Sequence, residues 1–270
     1  MIAANNSNHA RICRALNRAF FEQALRSQES IITSYIKLLI KKPRQRADTQ
    51  TPVDIGEVTD LELKHTCGTI ILGGSETSAT LLSGAICCLP KAPAWMEKLH
   101  QELAATFKSD NEISYTSLSQ LKVLNAIIQD TFRIYSPVWT ALPRIISLAG
   151  AKVCGDAPPP GTQVGISQYA MYHTSSHFTN PSVYATEHFL GAEQYAKDTL
   201  DAIQPFSVGR CNCIGQSLTW AETESILARL VWHFEFELLD PEQKWDNQKF
   251  FVLWQKPRLI VRLKVSDPGS

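Results

Sequence analysis

Apolar residues recur every three or four positions over much of this chain, which is the spacing of one face of a helix. The spacing predicts helices over residues 12–39, 67–89, 93–107, 117–132 and 215–234. Pro93 would stand in the first turn of its helix, where proline is tolerated. Ser117 is a favourable residue to cap the start of the next one.

The pattern changes near residue 144 to short runs that are separated by glycine and proline, which is typical of short strands. These runs fall at residues 144–148, 152–154 and 163–166, and an irregular stretch follows over residues 172–205. Residues 250–254 and 259–265, on either side of Lys256-Pro257, predict a β-hairpin. The predicted fold class is therefore mainly α with small β-sheets (α+β).

These elements predict one domain made of four consecutive parts. The parts are an N-terminal helix (1–41), a helical core (57–143), small sheets with an irregular segment (144–205), and a loop, helix and hairpin (206–270). Composition agrees with a globular domain, because 44% of the residues are hydrophobic and 19% are charged.

Charge and cysteine content argue against two classes of protein. Lys+Arg and Asp+Glu number 26 each, and a net charge of zero lacks the basic surface that nucleic acid requires. No nucleic-acid partner is expected. The seven cysteines are an odd number in a chain of 270 residues, which argues against a secreted disulfide framework.

Two segments resemble targeting signals. The first 21 residues carry Arg11, Arg14 and Arg18 with no acid before Glu22, as in a mitochondrial transit peptide. An amphipathic helix is the favoured interpretation, since the periodicity continues to residue 39. Residues 67–89 are long enough to cross a bilayer, but Glu76 near their middle favours a buried core helix, so no membrane span is expected in this chain.

The strongest local signal is the segment of residues 205–215, which leads directly into a predicted helix. Gly209 and Gly215 permit tight turns and close approach to a flat group. Cys213 precedes the helix N-terminus, whose dipole favours a thiolate that could serve as an axial ligand of an iron porphyrin. A buried, inert cysteine is the alternative. A zinc site at Cys211 and Cys213 lacks a second pair of ligands.

This segment resembles the haem loop of the cytochrome P450 family, the haem-thiolate monooxygenases, and of its fungal branch in particular. Phe206, Gly209, Cys213 and Gly215 are in register with the family pattern. The resemblance implies that Cys213 is the axial ligand of haem. Cys211 occupies the position at which the family has an arginine. Arg210 lies one residue earlier, and we expect it to bind the cofactor.

Residues 73–78 resemble the motif of the family's oxygen-activating helix. The resemblance implies that Glu76 and Thr77 are the catalytic residues that deliver protons to iron-bound dioxygen. An acid beside a hydroxyl in an apolar helix can relay protons. On this segment alone, hydroxyl groups that bond the carbonyls of their own helix explain the pattern equally well.

A third motif resembles the family's buried structural lock, an acid and an arginine three residues apart that meet a second arginine. Asp130 and Arg133 match the pair, with aspartate for the usual glutamate, and His188 occupies the position of the second arginine. On its own, such a pair is mostly a surface ion pair.

Smaller matches concern the haem propionates. Arg144 resembles an arginine that contacts a propionate, and the segment around Arg11 and Arg14 resembles the helix that covers these groups, with Cys13 where a basic residue is usual.

The resemblance implies a monooxygenase that oxidises a lipophilic small molecule in fungal secondary metabolism, with O2 and with electrons from NADPH through a cytochrome P450 reductase. Full-length relatives are expected at the endoplasmic reticulum membrane. The chain corresponds to the C-terminal haem-binding half plus one N-terminal helix, lacking several helices, with a gap near residues 53–60. This predicts a shortened gene product. A non-catalytic remnant, or a haem-binding module without turnover, is therefore the alternative function.

Overall fold

The computed structural model describes residues 72–242, 245, 247–251 and 253–266. Predictions that fall before residue 72 lie outside the described residues. They include the N-terminal helix, Arg11 and Arg14.

Helices account for most of the regular secondary structure among the described residues. A π-helical turn, Leu72–Glu76, leads into α1, Thr77–Cys88. The other helices are α2 (Pro93–Thr106), α3 (Tyr115–Leu118), α4 (Lys122–Ile134), α5 (Gln168–Tyr172) and α6 (Gln216–His233). Short 3-10 turns lie at Leu89–Lys91, Asp110–Glu112, Thr186–Phe189, Glu193–Tyr195, Leu200–Ala202 and Gly209–Cys211. No helix within the described ranges combines the length and the hydropathy that a membrane span requires.

The prediction of one helix over residues 117–132, capped by Ser117, is wrong. Ser114 is the cap of α3, and its hydroxyl accepts the backbone N–H of Ser117 at 3.3 Å. The chain then turns and restarts as α4. Two backbone N–H groups in the first turn of α4, those of Val123 and Leu124, donate to the carboxylate of Glu102 on α2, at 2.9 and 3.0 Å. This cap comes from a distant residue, so no local pattern announces it.

Two small antiparallel sheets complete the described part of the fold. Strand β1 (Arg144–Ile145) pairs with β2 (Gln163–Val164). Strand β3 (Phe234–Leu238) follows α6 directly and pairs with β4 (Val261–Val265) over five residues. The predicted strand of residues 152–154 is reduced to one bridge between Val153 and Asp156.

The predicted C-terminal hairpin is also wrong. Residues 261–265 pair with residues 234–238, and residues 250 and 254 bridge only to each other. The reason is that two tryptophans between the strands are fixed elsewhere. The indole N–H of Trp245 donates to the carbonyl of Pro257, and that of Trp254 donates to the carbonyl of Ser136.

The main core lies where α1, α2, α4 and α6 meet. Its most deeply buried side chains include Leu99, Leu124, Ile127, Leu227 and Val231, each fully enclosed. Burial of one such side chain contributes about 1.5–3 kcal/mol. A smaller cluster of Cys87, Tyr135, Trp245 and Trp254 packs beside the end of α4. The fold is thus mainly helical with small sheets, in agreement with the prediction.

Candidate haem-binding site

The loop that precedes α6, residues 206–215, is here called the cysteine loop. It is closed by a hydrogen bond from the backbone N–H of Cys213 to the carbonyl of Phe206 at 2.8 Å. Its turn places Ser207 and Gly209 in the left-handed region, at φ 60° and 75°. Glycine adopts that conformation without steric cost, which explains the residue type at 209. No described atom lies within 4 Å of the position where a Cβ on Gly209 would stand, so this side of the loop is open.

Cys213 presents a free, solvent-exposed thiol beside the N-terminus of α6. Partial enclosure by the surrounding protein raises the pKa of this thiol above its ordinary value of 9.0, although the backbone N–H of Gly215 bonds the sulfur and lowers it. The net direction is opposite to the thiolate preference expected from the helix dipole. A bound metal ion reverses such a balance, because coordination deprotonates a thiol.

Aromatic side chains support the cysteine loop from beneath. The ring of Phe206 meets Phe132 of α4 edge to face, with 5.2 Å between ring centroids. Phe132 meets Trp220 of α6 in the same way at 5.8 Å. A cavity of about 300 Å³ opens beside these three rings. An edge-to-face contact therefore holds the loop against α4, and a second one packs α4 on α6.

Arg144 connects the β1–β2 sheet to the cysteine loop. Its guanidinium donates to the hydroxyl of Ser207 at 3.3 Å and to the carbonyl of its neighbour Pro143 at 3.1 Å. Both Arg144 and Arg210 are exposed. The structure thus places one predicted propionate ligand, Arg144, against the loop of Cys213.

The described residues fit haem, the group that the resemblance implies. Cys213 offers a sulfur that is accessible and bonded by a backbone N–H, as an axial thiolate requires. The open side of Gly209 admits a flat ring at close range. Arg144 supplies a cation that a propionate can bind. Elsewhere in the described part, no three His, Cys, Asp or Glu side chains are grouped in a way that could hold a metal ion.

The predicted proton-relay residues lie at the junction of the π-helical turn and α1. The hydroxyl of Thr77 donates to the carbonyl of Gly73, and Thr80 donates to the carbonyl of Glu76 at 2.6 Å. These are the bonds to the helix's own carbonyls that the simpler interpretation expects. The carboxylate of Glu76 instead accepts a bond from Lys256 at 2.6 Å. Within the described ranges, neither Glu76 nor Thr77 bonds a residue of the cysteine loop.

Asp130 and Arg133 form a fully buried ion pair, with 2.7 Å between Oδ1 and Nε. The remaining N–H groups of Arg133 donate to the carbonyls of Pro181 (2.6 Å) and Val183, and the backbone N–H of Ala185 donates to Asp130 at 2.6 Å. Burial raises the pKa of Asp130 to about 6, against the opposing effect of Arg133. The pair thus fastens α4 to the irregular segment of residues 181–185.

His188 is not bonded to that pair. Its Nδ1 contacts the carboxylate of Asp198, and the centroids of its ring and the Tyr195 ring are 3.9 Å apart. Burial and the nearby Arg133 lower the pKa of His188. Asp198 also accepts the backbone N–H and the hydroxyl of Thr179, both at 2.8 Å. Sequence reasoning missed Asp198, which is one of several acids in an irregular stretch and belongs to no periodic pattern.

Comparisons with known proteins show which family the chain belongs to. The family model described as Cytochrome P450 matches residues 19–262. Similar proteins include the cytochrome P450 monooxygenases astA of Talaromyces wortmannii (39% identical, 75% of this chain and 41% of the relative) and prhB of Penicillium brasilianum (40% identical, 70% and 39%). The cytochrome P450 monooxygenase aclL of Aspergillus oryzae is 39% identical over 77% of this chain and 42% of its own length.

The chain belongs to the cytochrome P450 family. Its matched region spans about two fifths of the length of these relatives, between 39% and 42%. The cysteine loop, the helix of Glu76 and Thr77, and the Asp130–Arg133 pair all lie within the range that the family model matches.

Proposed function

We propose that this chain carries the haem-binding and oxygen-activating part of a monooxygenase that oxidises a lipophilic small molecule in fungal secondary metabolism. The observation that carries the proposal is the exposed thiol of Cys213, which the closed cysteine loop holds beside the N-terminus of α6. The relatives support the reaction class, since their names describe monooxygenases of fungi.

The chain's own residues have distinct tasks in this proposal. Cys213 would provide a thiolate ligand for the haem iron, and Phe206, Gly209 and Gly215 shape the loop around it. Arg144 and Arg210 hold propionates, a role also assigned to Arg11 and Arg14. Bound haem would supply the iron at which dioxygen is activated, with electrons from NADPH through a partner reductase. Glu76 and Thr77 hold and pass protons on the oxygen side. The endoplasmic reticulum membrane is the proposed location of full-length relatives.

Substitution of Cys213 tests the assignment of the axial ligand. The chain is expressed with haem, reduced and exposed to carbon monoxide, and the strongly red-shifted Soret band of a thiolate-ligated iron is recorded. We expect the band in the wild type and its loss in Cys213→Ala, because alanine has no sulfur ligand. Cys211→Ala is the matched control, since Cys211 is an exposed cysteine in the same loop. An unchanged band in Cys213→Ala would refute the assignment.

Turnover separates the enzyme from the alternative of a haem-binding remnant. NADPH consumption and oxidised product are measured with a cytochrome P450 reductase and a panel of lipophilic substrates. A red-shifted carbon monoxide band without any product across the panel would favour the remnant.

A further inference from the structure

Lys256, in the loop before β4, forms an ion pair with Glu76, at the start of α1. Their Nζ and Oε2 atoms are 2.6 Å apart, although the residues are separated by 180 positions in sequence. The Lys256 side chain is 22% exposed and that of Glu76 is 44% exposed. The pair therefore joins the C-terminal loop to the helix that carries the proposed proton relay.

The backbone of Lys256 is held in an unfavourable conformation. Its φ of 47° lies in the left-handed region, which costs free energy for a residue with a side chain. Pro257 follows it, and a residue before proline prefers an extended conformation. The N–H of Lys256 donates to the side-chain oxygen of Gln248 at 2.9 Å, and the hydroxyl of Tyr135 donates to the same oxygen at 3.3 Å. The strained turn is thus maintained by a specific hydrogen bond.

Two tryptophans anchor the loop on both sides of Lys256. Trp245 bonds the carbonyl of Pro257 at 3.0 Å, and Trp254 bonds the carbonyl of Ser136 at 2.8 Å. The ring of Trp254 also stacks on that of Tyr135, with 4.4 Å between centroids. The loop is therefore attached to the C-terminal end of α4, and the position of Lys256 is determined by that attachment.

Tyr135 also packs directly against α1. A Cβ placed on Gly84 of α1 would lie 2.7 Å from Cδ1 of Tyr135, so this helix and this ring are in closest contact. Tyr135 consequently packs against the helix of Glu76 while it supports the loop of Lys256. The geometry of the ion pair follows from the packing of the molecule and not from two free surface side chains.

We propose that Lys256 is a positioning residue for Glu76: its ammonium holds the carboxylate in one orientation for proton transfer. This inference rests on the proposed monooxygenase function. A half-exposed carboxylate without a partner samples several rotamers, whereas a fixed one presents its oxygens in a single direction. Loss of Lys256 leaves haem binding intact and makes proton delivery less efficient.

A cross-linking experiment tests the contact without any need for activity. A zero-length carbodiimide condenses a neighbouring carboxylate and amine into an amide with loss of water, and mass spectrometry identifies the joined peptides. We expect a Glu76–Lys256 cross-link in the wild type and in Lys249→Gln, and none in Lys256→Gln. The pair Lys264–Glu237, with 3.4 Å between Nζ and Oε2, is the internal control. A Lys264–Glu237 product without a Glu76–Lys256 product would overturn the inference.

Kinetics test the positioning role. In Lys256→Gln we expect the fraction of NADPH electrons released as hydrogen peroxide to rise, and kcat for product to fall on the order of tenfold, with KM unchanged. This is less than the 10²–10⁴-fold that a general acid or base contributes itself. Lys256→Arg should restore most of the coupling, and Lys249→Gln, an exposed lysine of the same loop, should behave as the wild type.

A double substitution completes the test. If Lys256 acts through Glu76, then Glu76→Gln/Lys256→Gln should be no slower than Glu76→Gln alone. Additive losses, or full coupling in Lys256→Gln, would contradict the positioning role. Failure of the proposed function and failure of this inference can be told apart. Absence of the red-shifted carbon monoxide band in the wild type refutes the proposed function. The cross-link tests the Lys256–Glu76 contact whether or not that band is present.

Discussion

At the scale of single residues, Glu224 of α6 is an acid in an unfavourable place. Glu224 is buried, with 3% of the residue exposed, and its Oε2 has no hydrogen-bond partner among the described residues. Burial raises the pKa of this carboxyl to about 7. Because the ordinary value is 4.5, the folded chain binds a proton here more tightly than the unfolded chain does.

The stability contribution of Glu224 should therefore decrease as pH rises from about 4.5 to about 7. Folding is favoured below the unfolded pKa, where both states are protonated, and is penalised above the folded pKa, by roughly 3 kcal/mol at most. We expect Glu224→Gln to raise the free energy of unfolding at pH 8 and to leave it nearly unchanged at pH 4. Urea unfolding of both proteins across this range measures the difference.

Glu193→Gln is the control for this prediction, since Glu193 is exposed. It should follow the wild type at every pH. A constant difference between Glu224→Gln and the wild type from pH 4 to pH 8 would contradict the pKa shift.

The residues of the cysteine loop could be predicted because their chemistry is local. Gly209 adopts the left-handed turn that its residue type favours, and Cys213 stands next to the helix start that the apolar spacing indicates. Lys256 and Asp198 could not be predicted in this way. Their partners, Glu76 and His188, become neighbours only through tertiary packing, and a single charge in a loop gives no signal of its own.

At the scale of elements, the Asp130–Arg133 pair connects α4 to the irregular segment. The guanidinium of Arg133 donates to two backbone carbonyls of that segment, and Asp130 accepts one of its backbone N–H groups. Lysine at position 133 keeps the charge but cannot bond Asp130 and two carbonyls in the same plane. We expect Arg133→Lys to lower the free energy of unfolding by about 3 kcal/mol, as for a disrupted buried pair. Urea unfolding at pH 7 measures this.

Arg262→Lys provides the matched control for that substitution. Arg262 pairs with Glu237 on the exposed face of β3 and β4, where solvent weakens the interaction. Its replacement should not change stability measurably. Equal changes in the free energy of unfolding for the two substitutions would show that the buried Arg133 pair contributes no more than the exposed Arg262 pair.

The contact between α1 and Tyr135 gives a second prediction at this scale. Gly84→Ala would bring a methyl group to 2.7 Å from the tyrosine ring and 3.2 Å from Thr131. We expect a loss of about 1–3 kcal/mol from overpacking, and a change in the near-ultraviolet circular dichroism of the Tyr135–Trp254 stack. Gly73→Ala, which meets no described atom within 4 Å, should lack both effects.

Element types followed from periodicity better than element connections did. The spacing of apolar residues located α2 and α6, and Pro93 marked the start of α2. The boundary between α3 and α4 was missed because its cap is the carboxylate of Glu102. The partner of β4 was missed because nothing near residues 261–265 indicates a strand that ends at residue 238.

At the scale of the whole molecule, distant segments converge on the cysteine loop. The β1–β2 sheet contributes Arg144, α4 contributes Phe132, and α6 begins where the loop ends. Periodicity alone would have described a helical domain with small sheets. It was the order of three short motifs along the chain that identified the family, and the family model then matched residues 19–262.

The Lys256–Glu76 pair has a consequence for the order of events during synthesis. A chain is made from its N-terminus, and its parts begin to fold as they emerge from the ribosome. The helices α1, α2, α4 and α6 all precede residue 256, so the segments that form the core are made while Glu76 still lacks Lys256. The proposed proton relay would thus receive its final orientation only after residue 256 has been added, later than the synthesis of the cysteine loop.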